Sequence, residues 1–159
     1  MSTGTRCAAD SAVQMTEIVL PEDSNARGAI FGGRVLALVD KCAAISAMRY
    51  SRIRVVTVSM DSIDFVNEVR VGQILNLIGR LNAAFGSSME IEVEVQSEDP
   101  LTGDRKLTTR AYVTMVALDR HGRPCKVPQQ RFEHPDEERR AAEATERRKL
   151  RRAKSNVVR

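Results

Sequence analysis

The chain has 159 residues, 42% of them apolar and 29% charged, with a formal net charge of +4. That length and balance predict one globular domain with a full core and exclude a disordered chain. A membrane-spanning helix is excluded too, because no run of about eighteen apolar residues exists to cross a bilayer.

The opening MSTGTRCAADSAVQ has neither the basic start nor the apolar stretch of a signal peptide. The cysteines, Cys7, Cys42 and Cys125, are odd in number and share no metal-like spacing. A reducing cytoplasm is the expectation. VQMTEIVL (13–20) reads as a first strand. Behind it, NARGAIFGGRVLALVD (25–40) sets a polar, glycine-rich loop before an apolar run. That run predicts one long helix over roughly 33–49, in which Val35, Leu36, Leu38, Val39, Cys42, Ala43, Ile45 and Met48 cover most of the circumference. Such a helix is wrapped by other structure.

RVVTVSMDSIDF (54–65) is a β-branched strand. QILNLIGRLNAAF (73–85), SMEIEVEVQ (88–96) and KLTTRAYVTMVAL (106–118) follow it, joined by GSS and DPLTGD turns into an antiparallel meander. In SMEIEVEVQ the alternation is strict: Met89, Ile91, Val93 and Val95 share the dry face, Glu90, Glu92, Glu94 and Gln96 the wet one. A strand, a buried helix and four more strands make an α+β order, which an antiparallel sheet curled around one central helix satisfies.

HPDEERRAAEATERRKLRRAK (134–154) predicts a second helix of another kind. Pro135 suits the first turn, acids fill its start and bases its end, and Asp136/Arg140 and Glu143/Arg147 sit at i,i+4. Too few large apolar residues are present to bury a face, so a solvated or subunit-bridging helix is expected. The chain divides into a domain, 1–132, and a charged tail, 133–159. From Glu133 onward nine Lys and Arg face six Asp and Glu, so the tail carries +3 of the +4. Six of the eight residues in RRKLRRAK (147–154) are basic, enough for salt-sensitive phosphate contact. The body has no interleaved aromatics and no Trp, which argues against nucleic acid as a partner.

Asp40 stands inside the buried helix. Residues three, four and seven positions away share its face, so Ala37, Ala44 and Ala47 lie beside it and leave room for water or a thin ligand. In front of the helix, FGG offers unobstructed N–H groups at the positive end of the helix dipole. A partly desolvated carboxylate and donors aimed at negative charge are the parts of a hydrolytic site. Spacing alone also permits, and more readily, an aspartate that pairs with Lys41 or an arginine, or that meets a partner subunit across a small-residue helix contact. Asp61 and Asp64 are rival carboxylates, of which strand parity lets at most one face the core.

Taken in order, NARGAIFGGRVLALVD, RVVTVSMDSIDF, VGQILNLIGRLNAAFGSSMEIEVEV and TMVALDRHGRPCKVP resemble the hotdog-fold acyl-CoA thioesterases of the brain acyl-CoA hydrolase type and their bacterial relatives, over about residues 13–130. The resemblance implies a hotdog fold, dimers with shared active sites and assembly into trimers of dimers. It implies hydrolysis of medium- to long-chain acyl-CoA, with Asp40 as general base or nucleophile and Asn25 of one protomer meeting Asp40 of the other. Gly32 and Gly33 fall where the family polarises the thioester carbonyl. Gly86, Ser87 and Ser88 match its loop for the CoA portion, although Gly-Ser-Ser is also an ordinary hairpin turn. Arg54, clustered with Arg49 and Arg52 at the helix end, would meet nucleotide phosphates or only complement that end. Neither a metal nor a separate cofactor is called for.

A hotdog dehydratase generally relies on a histidine. The two here, His121 in the DRHGRP turn and His134 at the start of the tail, are expected to be solvated. A CoA-sensing or nucleic-acid-binding module without turnover is the other alternative.

Overall fold

A computed structural model describes residues 4–157; the outer ends of the two predicted segments, residues 1 and 159, lie outside them. Its strands are β1 (Thr5–Cys7), β2 (Val13–Ile18), β3 (Arg54–Met60), β4 (Ile74–Phe85), β5 (Ser88–Glu98), β6 (Arg105–Leu118) and β7 (Gln129–Arg131). The helices are α1 (Gly32–Ser51) and α2 (Pro135–Val157). Five strands form an antiparallel sheet in the order β2-β4-β5-β6-β3, while β1 and β7 make a separate parallel pair.

The inner face of the sheet presents Leu75, Leu77 and Leu81, then Met89, Ile91, Val93 and Val95, then Val113 and Met115, all buried. They close around Val35, Leu38, Val39, Cys42, Ala43 and Ala47 of α1. Each such aliphatic side chain contributes roughly 1.5–3 kcal/mol by leaving water. The helix approaches β4 so closely that Gly79 is obligatory there: a Cβ would stand 2.8 Å from Cys42 Sγ. Burial in this contact pushes the Cys42 thiol up to about 11. At the far end Tyr50, pushed up to about 12 mainly by burial, donates its hydroxyl to the Pro128 carbonyl at 3.1 Å.

Three predictions need correction. The strand predicted over 54–65 stops at Met60, and irregular chain with local turns follows to the start of β4. The outer face of β5 is not uniformly wet, because Glu90 and Glu92 are buried. For Glu90 the reason is α2, which is not a solvated helix: it packs on the sheet at β4, its Ala144 is fully buried, and its arginines reach Glu90; Glu92 is held instead by Arg80 and Arg110. Arginines replace the missing apolar stripe. Arg147 lies 3.8 Å above the Tyr112 ring and Arg148 4.5 Å from the Phe85 ring. Arg147 and Arg151 reach Glu90 at 2.7 and 2.9 Å, and Arg151 also bonds Asp61 at 2.8 Å. Burial pushes the Glu90 carboxyl up, but the bonds from Arg147, Arg151 and Asn82 outweigh it and hold the group below its ordinary value.

Candidate active site

The sheet does not enclose α1 completely. Lys41 and Met48 stay exposed, and Asp40 is half-buried beside exposed Ala37 and half-buried Ala44. Of the three alanines expected to leave room, Ala47 does not: it is fully buried in the core, so the open side runs along Ala37 and Ala44. The carboxylate is gripped from the sheet: Thr57 of β3 donates its hydroxyl to Asp40 Oδ1 at 2.5 Å. Thr57 faces α1 because β3 pairs it with Met115, an inner-face residue of β6, before a bulge shifts the register at Ser59. From the sequence alone, Thr57 shows only strand parity; its bond to Asp40 depends on that register.

Asn25 sits in the loop before α1. Its side-chain oxygen accepts from the N–H groups of Arg27 at 2.9 Å and Ala29 at 3.3 Å, which folds the loop on itself and leaves the NH2 end to donate. Gly32 and Gly33 open the helix, so their N–H groups have no carbonyl one turn back to bond. Asn25 and Gly32 line one cavity of about 200 Å³, together with Phe65, Asn67 and Thr108. A Cβ on Gly32 would meet the Phe65 ring at 3.2 Å, so a side chain there would have to shift the ring. The Thr108 hydroxyl is buried here without a hydrogen-bond partner among the described residues. Phe65, Asn67 and Thr108 carry no sequence signal of this placement, since the irregular segment after β3 brings two of them in.

Asp40 lies outside that cavity. It is eight residues beyond Gly32, about 12 Å along the helix axis, so one chain does not bring Asn25 and Asp40 together. Gly86, Ser87 and Ser88 form the tight β4–β5 turn, with Gly86 at φ 61°. Its carbonyls are engaged, Gly86 by Val127 N–H and Ser87 by Ala117 N–H. Of the three, Ser88 lines the groove under α2. Arg54 is exposed and lines neither cavity. Arg49 bonds the Ala12 carbonyl and Arg52 ends α1 with φ 57°. Both histidines are exposed, His121 in the turn capped by Asp119.

Residues 27–103 match the Thioesterase superfamily. The chain is 39% identical over 124 residues to the uncharacterized acyl-CoA thioester hydrolase YkhA of Bacillus subtilis, covering 78% of this chain and 72% of that protein. The chain belongs to the acyl-CoA thioester hydrolases. Its sheet around α1 is the hotdog fold of this family. A solved apo-hexameric acyl-CoA thioesterase superposes on this thioesterase with a TM-score of 0.91 at 40% identity, over 96% of this chain and 97% of the other. The acyl-CoA hydrolase of Staphylococcus aureus, solved with butyryl-CoA, CoA and CoA disulfide, gives 0.88 at 34%, over 97% and 96%. That enzyme has also been solved as single variants in which an aspartate, an asparagine or a threonine is replaced by alanine. The mouse and human cytosolic relatives are longer, and the match spans 34% of their length.

Proposed function

We propose that this thioesterase hydrolyses medium- to long-chain fatty acyl-CoA to a free fatty acid and CoA. The observation that carries the reading is the seat of Asp40, a half-buried carboxylate on an open alanine face, oriented by Thr57. As general base, Asp40 takes a proton from water while the water oxygen attacks the thioester carbonyl. The carbonyl oxygen becomes an oxyanion, and N–H groups of Gly32 and Gly33, with the Asn25 amide, stabilise it. Collapse breaks the C–S bond, and the proton held by Asp40 passes to the leaving sulfur. If Asp40 instead attacks directly, the same donors serve and water cleaves the resulting anhydride. No separate cofactor takes part, since CoA arrives within the substrate.

Residue spacing adds support. In the staphylococcal variants the altered asparagine and aspartate are 15 positions apart and the aspartate and threonine 17 apart, as are Asn25, Asp40 and Thr57 here. The gap of about 12 Å along α1 between Gly32 and Asp40 favours a site completed between protomers, with the Asn25 loop of one meeting Asp40 of its partner. A dimer with shared sites, assembled as a trimer of dimers, fits exposed Phe31, Val58 and Phe65 and the hexameric form of two structural neighbours. Gly86, Ser87, Ser88 and Arg54 are carried as contacts for the CoA portion, with Ser88 best supported by its place in the groove. The cytosolic relatives support a cytoplasmic location.

The test is thiol release from acyl-CoAs, acetyl to palmitoyl, by wild type and Asp40→Asn. A loss of at least about a hundredfold in kcat is expected, the usual lower range for a general base. Thr57→Ala should cost about tenfold, the worth of one charge-assisted hydrogen bond. Mixing Asn25→Ala with Asp40→Asn should restore part of the activity. Equal release by wild type and Asp40→Asn would overturn the assignment.

A further inference from the structure

The cavity beside Asn25 holds more than donors for an oxyanion. Ile30, Val35, Val69 and Phe65 give it an apolar wall alongside Gly32. Its other polar side chains are committed elsewhere: the Asn67 amide donates to the Leu107 carbonyl at 2.7 Å, and Glu68 pairs with Arg27 at 3.2 Å and Arg70 at 3.6 Å. The Thr108 hydroxyl has almost no surface open to a ligand. A chain with amides, such as the pantetheine arm of CoA, would leave those amides unpaired against this wall, whereas an alkyl chain gives up no hydrogen bond. The volume is about 200 Å³. Pockets for drug-sized ligands start at roughly 300 Å³, so this one takes the first few carbons of an acyl chain and not a whole long one.

Phe65 fixes the width of that space. Its backbone is pinned on both sides: the Asp64 carbonyl accepts from the Thr109 hydroxyl at 2.8 Å, and the Val66 N–H donates to the Thr108 carbonyl at 2.9 Å. The segment cannot carry the ring away from β6 without breaking these bonds. The ring edge rests against Gly32, where a Cβ would stand 3.2 Å from Cε2 and 3.4 Å from Cζ, inside the roughly 3.5–4.0 Å of ordinary carbon contact. A Cβ on Gly33 would meet nothing within 4 Å. One donor glycine is therefore walled by an aromatic ring, while its neighbour opens onto free space.

We propose that Phe65 is a specificity-determining residue: its ring limits the width of the acyl chain at the carbons next to the thioester carbonyl, so that straight chains enter and chains branched beside the carbonyl do not. This rests on the proposed hydrolysis of acyl-CoA with the carbonyl oxygen held at Gly32 and Gly33. It adds a selection on shape to any selection on length, made where the chain leaves the reacting carbon.

The test is thiol release from decanoyl-CoA and from its α-methyl-branched counterpart by wild type, Phe65→Ala, Phe65→Leu and Val66→Ala. The readout is the ratio of kcat/KM for the straight over the branched substrate. Comparing that ratio between proteins cancels both the lower intrinsic reactivity of the branched thioester and any loss of folded enzyme. Phe65→Ala should lower it at least about tenfold, the lower range for one methyl or methylene group in an apolar pocket. Phe65→Leu should lower it less, and it keeps an apolar side chain to read the ratio if Phe65→Ala does not fold. Val66 is exposed, follows Phe65 directly and does not line the cavity, so Val66→Ala should leave the ratio where it is. A ratio unchanged in the Phe65 variants, or shifted as far by Val66→Ala as by Phe65→Ala, would overturn the proposal while hydrolysis stands. No thiol release from either substrate by wild type would overturn the hydrolytic reading and this one with it.

Discussion

The two helices reach the same sheet from opposite sides by opposite chemistry. Helix α1 carries four charged residues in 20 and buries an aliphatic surface; α2 carries thirteen in 23 and docks through arginines. Apolar packing selects neighbours by shape and volume, whereas an arginine clasp needs a particular carboxylate at a particular place. The lesson is that a helix without an apolar stripe can still belong to the fold when the sheet offers it a buried acid.

The largest effect on stability should come from breaking the clasp. Arg147→Met with Arg151→Met leaves the Glu90 charge, whose side chain is 0% exposed, without its cations. Urea unfolding should show a loss of about 3–5 kcal/mol, and adding Glu90→Met should recover most of it, since removing both sides of a buried pair is far cheaper than removing one. The matching test of α1 is Gly79→Ala, which pushes a methyl group toward Cys42 Sγ and should cost about 1–3 kcal/mol by overpacking. If Gly79→Ala proves harmless, α1 is held more loosely than its contact with β4 implies.

Acid should separate the helices next. Because Glu90 is held below its ordinary value when folded, its contribution is present above the unfolded pKa near 4.5 and is lost as pH falls through the lower, folded one. Glu90→Gln should therefore flatten the decline in stability between about pH 5 and pH 2, measured by thermal unfolding across that range. The smallest effect belongs to the solvent side of α2. Glu146 and Lys149 pair at 2.7 Å with both side chains 68% exposed, and Lys149→Ala should change stability by less than about 0.5 kcal/mol.

Much of this architecture is legible locally. Period-two alternation finds β4, β5 and β6, and the near-continuous apolar run finds α1, because each pattern is complete within its own segment. Asp40 is visible for the same reason, as a charge among alanines. The docking of α2 is not, since Glu90 lies 57 and 61 residues from Arg147 and Arg151 and reads as one more wet glutamate in SMEIEVEVQ. Thr57 is hidden in a similar way: its bond to Asp40 exists only once the β3–β6 register is set. The cavity around Asn25 escapes detection because Phe65 and Asn67 arrive on chain that breaks out of the strand pattern at Met60.

The strand order has a kinetic consequence as well. Strands β4, β5 and β6 are neighbours in sequence and in the sheet, so they can zip by short turns. The outer strands wait for distant partners: β2 joins β4 with Val13 against Gly79, and β3 joins β6 with Arg54 against Leu118. Those closures each enclose more than sixty residues, and their entropy must be spent before the contacts repay it. Residues 19–53, which include α1, lie inside the first of these loops, so the meander offers the surface on which α1 condenses before the sheet can finish at either edge.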